Sequence, residues 1–191
     1  DPITTLVNPE EISKIEIIKG PFSVRYGNTF AGVINMVSQY GNPSEKAFVG
    51  SFSSGYESNS NSLVTILQLS SNWKKFDIVG DLSYRNYGNY KDGNQNEIPS
   101  SFNSKGYGLK MGYQFSENQR LQVNVRQNFG RDVLHAGLPM DTDEDNSSIA
   151  SLDYSSKSNA VFYEGVTAKV YYSYVDHIMS NYSRPSFVNS A

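Results

Sequence analysis

The residues with the most distinctive chemistry lie near the C-terminus, in Asp176-His177-Ile178-Met179. On an extended chain an imidazole and a thioether two residues apart project from one face, and that pair suits a soft or borderline metal such as copper. Both side chains could equally be packing residues at the end of a strand. The chain has no Cys, which removes thiolate metal sites and disulfides. Its other histidine, His135, has no evident partner in the sequence. The acidic run Asp141-Thr142-Asp143-Glu144-Asp145-Asn146 imitates the start of a calcium loop. It fails there, because Asn146 stands where the turn Gly is needed and Leu152 where the bidentate Glu belongs. A solvated loop is expected instead. Gly20 to Gly27 precedes no Gly-Lys-Ser/Thr and is no phosphate loop. No nucleophile stands beside a base and no carboxylate pair has an arguable separation, so no enzyme is expected.

What must position these residues is a set of strands, because alternation with period two recurs after residue 45 and helical periodicity is almost absent. Leu63, Thr65, Leu67, Leu69 and Trp73 alternate with Gln68, Ser70 and Asn72, with Val64 and Ile66 blurring the start. Phe76, Ile78, Leu82 and Tyr84 alternate with Asp77, Asp81 and Arg85. The same holds for Tyr107 to Phe115, Leu121 to Phe129, Ala150 to Tyr154 and Val166 to Tyr174. With a first strand over roughly 46 to 56, the count is seven. Short turns are expected near Lys74-Lys75, at Ser116 to Gln119 and at Ser155 to Ser158. Longer loops are expected at Glu57 to Asn61, Gly88 to Ser104 and Arg131 to Asn146. If the parity of Val166 to Tyr174 continues, His177 and Met179 share a face with Lys169 and Ser173, at the long-loop end.

Short turns at one end and long loops at the other describe an outer-membrane barrel better than a soluble sandwich. In such a barrel the apolar face meets lipid and the polar face lines a wet lumen. Tyr56, Trp73, Tyr84, Phe115, Phe129 and Tyr174 would then form interfacial girdles, although β-propensity alone also places aromatics in strands. The composition agrees. Only 18% of the 191 residues are charged, against about 25% in ordinary domains, and 14 Tyr and 10 Phe accompany one Trp. A mean hydropathy of -0.49 fits strands that are apolar on one side only, and no apolar run is long enough for a membrane helix. The net charge of -3 supplies no basic stripe for a phosphate backbone, so nucleic acid is not an expected partner.

The first 44 residues differ from the rest. Ile15-Glu16-Ile17-Ile18-Lys19-Gly20-Pro21-Phe22-Ser23-Val24-Arg25-Tyr26-Gly27, followed by Ala31-Gly32-Val33-Ile34-Asn35, reads as strand, tight turn and strand, with Gly20 and Gly27 at positions of positive φ or close approach. This stretch resembles the C-terminal plug signature of the TonB-dependent outer-membrane receptors. The expected fold class is therefore mainly β: a partial transmembrane antiparallel up-and-down β-barrel of about seven strands (residues 45–191), preceded by part of an α/β plug domain (residues 1–44). The resemblance implies uptake of a metal ion or chelate (siderophore, cobalamin or copper) from outside the bacterial outer membrane, powered through the TonB complex, without a prosthetic group. It also implies that Glu16, Lys19 and Arg25 contact the barrel wall, their alternative being solvated charges at strand ends. Barrels of this class have about 22 strands, so the chain reads as a fragment of a longer receptor whose targeting signal and TonB box lie outside it. A passive porin or adhesin, or a receptor for a glycan, are the alternatives.

Within that family His177-x-Met179 resembles the barrel half-site of the TonB-dependent copper receptors. Their other half is Cys-x-x-x-Met directly before an Asp-Pro-Pro-Thr-like stretch. Asp1-Pro2-Ile3-Thr4-Thr5 looks like that stretch, with Ile3 in place of the second Pro.

Overall fold

The computed structural model describes residues 12–20, 32–38, 48–160 and 162–184. Among them there is no helix. Strands β1 (Ile12–Lys19) and β2 (Gly32–Ser38) form a separate antiparallel hairpin, and Gly20 takes a positive φ of 97° at the end of β1. The remaining long strands are β3 (Phe48–Glu57), β4 (Ser62–Trp73), β5 (Phe76–Tyr87), β8 (Phe102–Ser116), β9 (Gln119–Val133), β10 (Asp141–Ala160) and β11 (Tyr163–Ser180). Between β5 and β8 a two-residue pair, β6 (Tyr90–Lys91) and β7 (Glu97–Ile98), makes a small ribbon of its own.

The long strands form one seven-stranded sheet in the order β11-β10-β9-β8-β5-β4-β3. Each strand pairs antiparallel with its sequence neighbour. This is up-and-down topology, the architecture of part of a β-barrel. Strand lengths run from 10 residues in β3 to 20 in β10, so every strand reaches the ~9–11 residues that a tilted strand needs to cross a hydrocarbon layer.

Three connections differ from the sequence expectation. The strand reaches Ala160, so Ser155 to Ser158 is no turn: Ser155 and Ser156 pair with Thr167 and Val166. Asp141 to Asn146 is not loop but the start of β10, leaving only 134–140 between β9 and β10. Ser, Asp and Asn have weak β-propensity, yet here β9 and β11 flank the segment and supply hydrogen bonds on both edges. Glu57 belongs to β3, and 58–61 is a short turn.

The register gives the sheet two unlike faces. Leu69, Gly80, Leu109, Val125, Ala150 and Tyr172 lie in one row across it, while Gln68, Asp81, Gly108, Arg126, Ile149 and Ser173 form the adjacent row on the other face. Val64 and Ile66, which blur the pattern of β4, belong to the polar face opposite Arg85 and Ser83. Burial runs opposite to that of a water-soluble sheet. On the apolar face Leu82 is 56% exposed and Val170 70%, whereas on the polar face Asp81 is 8% exposed and Asn128 2%.

Candidate functional site

The middle of the polar face is closed by its own charges. Arg120 on β9 places Nη2 2.8 Å from Asp77 of β5, and Arg126 places Nη2 2.9 Å from Asp81. These partners sit two strands apart, with β8 between them. The residues of β8 below the two bridges are Gly112 and Gly108, in register with Asp77 and Gln122 and with Asp81 and Arg126 respectively. A Cβ at Gly108 would stand 2.5 Å from Arg126 Nη2 and 2.6 Å from Asp81 Oδ1. At Gly112 it would collide with Arg120 and Asp77 in the same way. A side chain at either glycine would therefore displace the ion pair above it. A third pair, Lys169 to Asp153 at 3.2 Å, joins direct cross-strand neighbours.

The long-loop end of the same face has different chemistry. His177 is the register partner of Asp145, with Nδ1 3.8 Å from Asp145 Oδ1, and both side chains are largely buried. Met179 is the partner of Thr142. On β10 the register shifts between Thr142 and Glu144 against consecutive residues Met179 and Ile178 of β11. Asp143 is the extra residue of this bulge, which re-aims the strand and brings Thr142 to the face of Asp145. Thr142 is almost fully buried, and its Oγ1 lies 3.0 Å from His135 Nε2. His135, expected to be without a partner, thus joins the end of the polar face.

The loop that carries His135 is pinned. The His135 N–H donates to Asp141 Oδ1 at 2.9 Å, and its carbonyl accepts from Arg184 Nη2 at 2.6 Å. Arg184 also clasps the Asp141 carboxylate, through Nε at 2.7 Å and through Nη2. Leu134 N–H donates to Ser101 O at 2.9 Å, tying this loop to the preceding one. Burial works against the charge of Asp141, but the bonds from Arg184 and the His135 N–H outweigh it and hold the carboxyl below its usual range. Burial lowers the pKa of His135.

The charged positions of the first hairpin are less informative. Glu16 receives bonds from Lys14 Nζ at 2.7 Å and Asn35 Nδ2 at 2.8 Å, within the hairpin itself. Lys19 is exposed at the end of β1. Arg25 lies outside the described residues. Among the described residues no group of three or more His, Cys, Asp or Glu could hold a metal ion, so any site here depends on donors of another kind, such as Met179.

No protein-family model matches the chain, and no curated protein matches it. A solved structure named "Copper transporter OprC" is similar, with 24% identity and a TM-score of 0.84 over 92% of this chain. The chain has the fold of part of that transporter. It spans 28% of the OprC chain.

Proposed function

We propose that the chain is part of a TonB-dependent outer-membrane transporter that takes up copper, with His177 and Met179 as metal-binding groups on the barrel wall. The observation that carries the membrane reading is the inversion of the two faces. Leucines, valines and tyrosines project outward along strands long enough to cross the hydrocarbon, and the charged residues lie on the other side, paired with one another. In water that exposed apolar surface would be a liability; in a bilayer it meets lipid, and the polar face meets a wet lumen. The likeness to a copper transporter and the His-x-Met pair support copper over a siderophore, cobalamin or glycan. Glu16, Lys19 and Arg25 fit a plug segment facing the wall, and the TonB complex is the energy-supplying partner in this reading.

His177→Ala and Met179→Ala in the whole receptor are each expected to weaken copper binding by about tenfold or more, at least the loss that removing an outer-shell partner causes. Calorimetry checks this, and unchanged affinity in both variants would overturn the copper assignment. Copper uptake that persists after collapse of the proton-motive force would favour a passive barrel instead.

A further inference from the structure

We propose that His135 is the outermost copper-capturing group of this wall, receiving the ion at the loop end and passing it to Met179 and then to His177; the proposal rests on the copper reading above. The order follows from the register. His135 contacts Thr142, Thr142 is the partner of Met179, and the next polar-face pair farther from the loop is Asp145 with His177. The two imidazoles and the thioether therefore lie on successive levels of one face, with His135 nearest the 134–140 loop.

The geometry of His135 is that of a ligand held in readiness. A metal-binding imidazole usually donates its second ring N–H to a fixed partner, which sets the tautomer and orients the ring. Thr142 Oγ1 at 3.0 Å from Nε2 is such a partner, and Thr142 is itself locked between Val133 and Met179 in the sheet. In the tautomer that donates Nε2–H to Thr142, the Nδ1 lone pair is left for a metal, and no described group bonds Nδ1. The backbone of His135 is fixed as well, its N–H by Asp141 and its carbonyl by Arg184. Three anchors on one loop residue reduce the entropy lost when it binds an ion. His135 and His177 are both partly exposed, but His135 stands in the 134–140 loop itself, so an ion arriving from the loop side meets it first. Each transfer is a ligand exchange: a Cu–N bond to His135 is replaced by a Cu–S bond to Met179, and then a Cu–N bond to His177 forms. Copper keeps its oxidation state throughout.

The test is the rate of copper association with the whole purified receptor, followed by stopped flow with Cu(I) supplied from a colorimetric chelator buffer. His135→Gln keeps an N–H able to reach Thr142 but removes the imidazole ligand. It is expected to slow association by about tenfold or more, within the range over which variants of one site differ in on-rate. Thr142→Val removes the anchor but keeps the imidazole, and is expected to slow association less than His135→Gln does. An unchanged rate in His135→Gln overturns the proposal, because His135 would then serve only to hold the loop. So does equal slowing in both variants, which would trace the effect to the hydrogen bond. If His177→Ala and Met179→Ala also bind copper as the parent does, the copper reading itself fails; if those two lose binding while His135→Gln keeps its rate, only the capture step fails.

Discussion

In the middle of the polar face Asp77 and Asp81 meet Arg120 and Arg126 across a strand bared by Gly112 and Gly108. At the long-loop end of the same face the side chains include His135, Thr142, Asp145, His177 and Met179, and the ion pair of Arg184 with Asp141 holds the loop. The first region uses hard charges that neutralise each other and leave little for a ligand. It ties β5 to β9 across β8. The second offers nitrogen and sulfur donors, set on a bulge and a pinned loop. On the copper reading proposed above, a wall past which the ion moves gains from this division. A free carboxylate midway would trap the ion, whereas one already bonded to arginine does not.

Breaking the first region should cost the most. Gly108→Leu forces Asp81 and Arg126 apart where both are largely buried, so a loss of about 3 kcal/mol is expected. Urea unfolding in detergent or lipid would measure it, and a loss below about 1 kcal/mol would mean that the pair is not structural. Copper affinity per folded molecule should stay unchanged, which separates the two regions.

A smaller effect is expected at the loop end from Arg184→Ala. It removes charge-assisted bonds to Asp141 and the bond to the His135 carbonyl, worth about 2 kcal/mol. The loss should appear as faster amide exchange in 134–140, not as global unfolding. The Asp141 carboxyl is held below its usual pKa in the fold, so its contribution is present above about pH 4, the ordinary carboxylate value, and disappears as pH falls through the lower folded value. Acid titration of the parent should therefore release the 134–140 loop, and Arg184→Ala should flatten that dependence.

The smallest effect is expected outside both regions. Asp92 accepts bonds from the Asn94 and Asn96 N–H groups and from Asn96 Nδ2. The Asn96 side chain, with these backbone bonds, lowers its pKa. Asp92→Ala should speed exchange of those two amides and leave both overall stability and copper binding as they are; a change in copper affinity would extend the binding region to the β6–β7 ribbon.

Much of this architecture is legible from period two. Seven strands, the two unlike faces and the shared side of His177 with Met179 all follow from which residues alternate, because the pleat leaves a side chain only two directions. Three features are not. Alternation counted back from Asp145 would put Thr142 on the apolar face, and only the extra residue Asp143 returns it to the polar one; without that bulge His135 has no visible partner. The ion pairs over Gly108 and Gly112 join β5 to β9 across β8, separated by 45 and 43 residues, and no local pattern encodes contacts between strands that are not hydrogen-bonded to each other. The polar run at Asp141 to Asn146 reads as loop because its intrinsic propensity is weak, and becomes strand because two neighbours complete its backbone bonds. Side-chain direction is a property of the single strand and is written in its own residues. Bulges, bridges over glycine and the extension of a weak strand depend on what lies beside it, so they come into being only when the sheet assembles.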